Sequence, residues 1–153
     1  LKTDWNSEIL HKKINNVSEV IKSVENQKGP DVLILVEVEN ENVLSLLNNN
    51  YLVESGYRTQ VLIEGPDLRG IDVAILSRLP LLGQAQLHKI PYKAIKEADQ
   101  KGMNKSRGVL QAHLQLPDGS RLTVLAAHFP SQRNPSYWRA QAVAFVANKF
   151  RNL

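Results

Sequence analysis

Three polar side chains of this chain have types and settings from which chemistry is built: Glu37, Asp72 and His128. Each stands at the end of, or just inside, an otherwise apolar run that reads as a β-strand, and strand ends are where α/β folds collect their sites. Glu37 closes Val32-Leu33-Ile34-Leu35-Val36, whose unbroken hydrophobicity predicts a strand buried on both faces. An ionised carboxylate buried without a partner costs on the order of several kcal/mol, so Glu37 implies a cation, an arginine partner or the open end of a sheet. As a hard oxygen donor it suits Mg²⁺. His128 follows Leu125-Ala126-Ala127 and has the chemistry to bond a phosphoryl oxygen or to move a proton. A carboxylate such as Asp72, bonded to one ring nitrogen, would fix the tautomer and stabilise the imidazolium. Each residue also has a plainer reading. A histidine at a strand end serves equally as a satisfied structural residue, and Asp72 also suits a pair with Arg69 or the cap of a turn. Spacing alone leaves these alternatives open.

The basic residues divide in the same way. Lys89, Lys93, Lys96, Lys101, Lys105 and Arg107 crowd one stretch broken by Glu97 and Asp99, which reads first as a solvated loop. Arg107 differs because it begins a strand, from where its planar fork could meet a phosphate. Arg133 and Arg139, shortly after His128, either do likewise or decorate a helix.

Several elements must position these groups. Asn6 or Ser7 can cap a helix reaching about Gln27, since Ile9, Leu10, Ile14, Val17, Ile21 and Val24 recur at spacings of three and four. Lys28-Gly29-Pro30 stops it, the strand ending at Glu37 follows, and a short apolar helix is predicted around residues 43–47. Residues 58–63 and 71–77, joined through Gly65-Pro66-Asp67, predict a β-hairpin that Pro80 ends. Residues 84–106 read as polar and irregular. Residues 109–116 and 122–128 flank Pro117-Asp118-Gly119-Ser120 and predict a second hairpin. Ser136 is the expected cap of a closing helix whose apolar face carries Trp138, Ala142, Phe145, Val146 and Phe150. This alternation suggests a layered α/β domain without internal repeats.

Composition sets the outer bounds. With 153 residues, 42% hydrophobic and 22% charged, the chain has the makings of one core and therefore one domain or part of one. The 19 Lys and Arg exceed the 15 Asp and Glu, giving +4, a balance that permits a phosphate-bearing partner without demanding one. No cysteine is present, which excludes disulfides, thiolate metal sites and a cysteine nucleophile. No apolar stretch approaches the roughly 18 residues needed to span a bilayer, and residues 1–20 lack the apolar centre of a signal peptide.

Order and wording carry the reading further. LILVEVEN at 33–40, EGPDLRGIDVAILSRLPL at 64–81, SRGVLQAHL at 106–114 and HFPSQR at 128–133 together resemble the endonuclease/exonuclease/phosphatase family, in family order over most of the chain. That family is similar to pancreatic-type deoxyribonuclease and includes abasic-site endonucleases, sphingomyelinases and inositol-polyphosphate phosphatases. The wording is closest to a bacterial, nuclease-like branch whose members are often exported, which gives a lean toward the periplasm or medium. The resemblance implies part of a four-layered α/β sandwich, an α+β arrangement with mostly antiparallel sheets flanked by helices. It implies a phosphoester hydrolase dependent on Mg²⁺ or Mn²⁺, with nucleic acid as the expected substrate and the phosphodiester bond as its target. A phosphatase or lipid phosphodiesterase of the same fold, or a non-catalytic binding piece, stands as the alternative. Carried over by residue, Glu37 is the metal ligand, His128 contacts the scissile phosphate, and Asp72 orients that histidine. Arg107, Arg69, Asn40 and Ser131 are phosphate-binding. The family's first strand and its closing Gly-Asp-Phe-Asn and Ser-Asp-His segments have no counterpart here. Residues 1–153 are therefore expected to form a single, incomplete domain, inactive alone, whose exposed sheet edges invite association.

Overall fold

The computed structural model describes residues 6–67 and 69–153; Leu68, inside the second motif, lies outside the described residues. The first helix, α1, runs Ser7–Lys22, with the Asn6 Oδ1 accepting from the Ile9 N–H at 3.0 Å and Glu8 in the first turn. It buries Ile14, Ser18 and Ile21. The helix ends short of the expected Gln27 because Glu25, Asn26 and Gln27 take left-handed φ of 54°, 53° and 70°. That turn is gathered by Arg78. Its guanidinium donates to the carbonyls of Lys28, Gly29 (2.8 Å) and Ser55 (2.7 Å), pairs with Asp31 at 2.9 Å and lies over the Tyr57 ring.

Two antiparallel three-stranded sheets follow. Strands β1 (Val32–Val38), β2 (Thr59–Leu62) and β3 (Asp72–Ser77) are ordered β1-β3-β2, and all six residues of the central β3 are buried. Strands β4 (Gln86–His88), β5 (Val109–Gln115) and β6 (Arg121–Ala127) are ordered β4-β5-β6. Both predicted hairpins form, the β2–β3 and β5–β6 pairs. Helix α2 (Glu41–Leu46) continues into a wide turn at Leu47–Tyr51. One face of the first sheet packs Leu33, Leu35, Ala74 and Leu76 against Ile14, Ile21, Leu44 and Leu47 of α1, α2 and that turn. The other face packs Val61, Val73 and Ile75 against Leu110, Ala112 and Ala126 of the second sheet. The last helix, α4 (Ser136–Arg151), lines a groove with Thr123 and Leu125 on the outer face of that sheet, completing four layers. No helix among the described residues is long and apolar enough to cross a membrane.

Four expectations change. Strand β1 is not buried on both faces: Ile34 and Val36 are 45% and 50% exposed, because β1 is an edge strand and the core between the sheets reaches only Val32 on it. Residues 84–106 are not irregular throughout, since β4 pairs with β5 and helix α3 occupies Glu97–Met103. Ser136 is the first residue of α4, not its cap; Pro135 holds that position without a side-chain bond. Phe150 is exposed, and the buried residues of α4 are Trp138 and Ala142.

Candidate active site

The site begins with an irregularity in β1. Pairing to β3 shifts between Val36 and Val38, so Glu37 is the extra residue of a β-bulge, with φ 62°. A left-handed backbone at a non-glycine costs on the order of 1–3 kcal/mol and persists where the surroundings impose it, as at functional sites. The bulge takes Glu37 out of the strand's alternation, so its side chain is 65% exposed and lines a cleft instead of being buried. The sequence-based premise of a buried carboxylate is corrected accordingly.

The 64–71 loop closes on this segment through Gly70. With φ 61°, a Cβ there would stand 2.9 Å from the Glu39 carbonyl oxygen, so only glycine permits the approach. The loop thereby delivers Asp67 and Arg69 to the same cleft as Glu37. Asp67 is buried, yet its carboxyl is held down at about 2, chiefly by the hydrogen bond from Arg69. Its Oδ1 accepts from the Arg69 Nε at 2.9 Å and the Arg69 backbone N–H at 3.2 Å, and its Oδ2 from Arg69 Nη2 at 2.6 Å. Arg107 does not begin the strand but stands two residues before β5; it brings Nη2 to 3.5 Å from the same Oδ2 and donates from Nε to the Ile71 carbonyl at 3.1 Å.

His128 emerges just beyond β6. Its Nε2 lies 4.0 Å from Glu37 Oε1, and its Nδ1 is buried with no hydrogen-bond partner. Burial lowers its pKa below the usual histidine value; Arg107 adds to this and Glu37 opposes it. Asp72 does not orient it in this structure. The Asp72 Oδ1 accepts from the Gly65 N–H at 2.9 Å, closing the loop between β2 and β3. This is the turn-capping alternative, and the expected partner Arg69 is taken by Asp67. The Asn40 Oδ1 caps α2 by accepting from the Val43 N–H at 3.0 Å, and Asn40 does not line the cleft.

The whole cleft has a volume of about 540 Å³ and is completed by Gly102 of α3, Trp138 of α4 and two connections. Lys105 and Ser106 come from the link between α3 and β5, and Pro130, Ser131, Arg133 and Asn134 from the link between β6 and α4. Arg139 braces the latter by donating to the Ser131 and Asn134 carbonyls at 2.8 and 3.2 Å, so it is a structural residue while Arg133 faces the cleft. Of the residues named from sequence, Glu37, His128, Arg107, Arg69, Ser131 and Arg133 meet here. Asp67, Lys105 and Asn134 join them without having been singled out as site residues. For Asp67 the one signal was its place two residues before Arg69, which suits an Asx-type turn.

The donor set bears on a metal. Among the described residues no group of three or more His, Cys, Asp or Glu gathers, and Asp67 is engaged by two guanidiniums. Glu37 remains an open carboxylate. One carboxylate is not a complete site, and a hard cation held through it would have to keep several waters and draw its other ligands from a substrate phosphate.

The layered α/β fold thus brings a carboxylate, Glu37, and a histidine, His128, together in a basic cleft. The family model for the endonuclease/exonuclease/phosphatase family matches residues 1–149, and the chain belongs to that family, whose members are nuclease- and phosphatase-type hydrolases and typically use divalent metals. The chain is also similar to the crystal structure of an endonuclease/exonuclease/phosphatase from Beutenbergia cavernae DSM 12333, with TM-score 0.58 and 17% identity. That likeness, which bears on the fold, covers 79% of this chain and 34% of the other, so the chain spans about a third of that protein's length. No curated protein matches it.

Proposed function

We propose that the domain to which residues 1–153 belong is a divalent-metal-dependent phosphodiesterase acting on nucleic acid. One observation carries the reading: Glu37 and His128 face each other at 4.0 Å within a cleft that also presents Arg69, Lys105, Arg107 and Arg133. Asp67 is neutralised by its arginines, so the cleft as a whole favours an anion. Lys105 and Arg133 have no carboxylate partner among the described residues.

Glu37 would hold Mg²⁺ or Mn²⁺, which when bound supplies charge that polarises the phosphate and steadies the leaving oxygen. Neutral His128 donates an N–H to a nonbridging oxygen as negative charge develops there, and Arg107 adds a charge-assisted bond. Ser131 and Arg69 hold the phosphate at the rim. Contacts of this kind address the backbone and not base edges, so the expected sequence preference is slight.

Salt dependence separates a polymer from a small phosphoester. Four basic side chains engaged with single-stranded DNA predict a slope of log K against log salt of about −3, measured by fluorescence titration of a labelled oligonucleotide. A slope near zero would contradict the nucleic-acid reading and point to a substrate with one phosphate.

A further inference from the structure

Of the two acidic side chains that line the cleft among the described residues, Asp67 is the buried one, and two guanidiniums from separate parts of the chain converge on it. Arg69 reaches it from the same loop, side-on, through Nε and Nη2. Arg107 reaches it from two residues before β5 with Nη2, while its Nε is fixed to the Ile71 carbonyl. Asp67 is 6% exposed at the side chain, whereas Arg69 is 68% exposed, so the carboxylate is the buried anchor and the Arg69 fork is the part that meets solvent. A guanidinium carries five N–H donors in a fixed plane. Those not spent on Asp67 and Ile71 remain to be directed elsewhere, and both side chains line the cleft beside His128.

We infer that Asp67 is a positioning residue that holds Arg69 and Arg107 side by side as one rigid pair of donors for a substrate phosphate. This rests on the phosphoester reading of the cleft. Two arginines within reach of each other repel and would splay if left alone. A single carboxylate between them offsets that repulsion and fixes the Arg69 plane through two side-chain hydrogen bonds, while the Ile71 carbonyl holds Arg107 beside it, so less rotamer freedom is lost when phosphate arrives. The loop serves the same end: Gly70 docks it on Glu39, and Asp72 closes it through the Gly65 N–H. An Asn at position 67 would keep the volume but remove the charge and turn an amide donor toward a guanidinium.

The test is NMR observation of the arginine Nε–H signals of the folded chain, titrated with inorganic phosphate in metal-free buffer. The wild-type chain should show dispersed, slowly exchanging signals for Arg69 and Arg107 that both shift with phosphate. Asp67→Asn should return the Arg69 signal to the position of a solvated arginine and weaken phosphate about tenfold. An Arg69 signal unchanged by Asp67→Asn, or unprotected in the wild type, overturns the inference. Signals that respond to Asp67→Asn but not to phosphate overturn the phosphoester reading and, with it, the purpose assigned to the pair. Should Asp67→Asn not fold, the exposed Arg69→Ala substitution decides: it should weaken phosphate by a similar factor while leaving the Arg107 signal protected, and unchanged affinity overturns the inference.

Discussion

At His128, burial and the Arg107 guanidinium both favour the neutral imidazole, and the nearby carboxylate of Glu37 only partly offsets them. In metal-free protein the His128 ring should therefore titrate below its ordinary value near 6.5, and Arg107→Ala should move the midpoint upward; ring-proton NMR reads both. The sign for stability follows. Because the folded value is lower than the unfolded one, the folded state binds fewer protons between the two. The contribution of His128 is thus complete above the unfolded value and lost as pH falls through the folded one. Urea unfolding from pH 7 to pH 5, compared with His128→Asn, measures it, and a midpoint at or above the ordinary value would contradict the assignment. Residue type made Glu37, His128 and Arg107 legible, because carboxylate, imidazole and guanidinium at strand ends are conspicuous. Asp67 was not, because what distinguishes it is a contact with Arg107, 40 positions away in sequence. Asp72 shows the converse: its strand-end position is visible in sequence, while its bond to Gly65 depends on how the loop closes.

Among the elements, α3 shows most clearly how packing positions the cleft. It has no side-chain cap, and Gly102 in its last turn lies against Trp138 of α4, where a Cβ would stand 2.7 Å from the indole ring. Gly102→Ala should therefore lower stability by about 1–3 kcal/mol in urea unfolding, overpacking outweighing the gain in helix propensity, and should displace Lys105 from the cleft. Unchanged stability would mean that α3 does not dock as described. The same features hid α3 and β4 from sequence. A three-residue strand exists only through its pairing with β5, and a seven-residue helix without a cap has little local signal. The hairpins were legible because their turns and alternation are local. The overrun of α1 has a tertiary cause, the grip of Arg78 on the carbonyls of residues 28 and 29, which overrides the helical spacing that reaches Val24.

For the molecule as a whole, layering could be read from the order of helices and strands, but the exposure of particular faces could not. Among the described residues, strands β1 and β6 are each at the edge of a sheet, and Ile34 and Val36 are open on β1. Such edges template pairing with another strand, so the chain is expected to self-associate as its concentration rises, and Val36→Lys to suppress this in sedimentation velocity. A monomer at every concentration would contradict that expectation. The cleft joins both sheets and the links beyond them: Glu37 from β1, the Asp67 loop between β2 and β3, Arg107 before β5 and His128 after β6. The central claim is that this junction hydrolyses phosphodiesters. It is tested most directly by Mg²⁺- or Mn²⁺-dependent nicking of supercoiled plasmid by the full polypeptide that carries this domain, beside Glu37→Ala and His128→Ala variants of unchanged melting temperature. The account predicts nicking that falls on the order of 10²- to 10³-fold in His128→Ala and loses its metal dependence in Glu37→Ala. Nicking at the wild-type rate in either variant would contradict it.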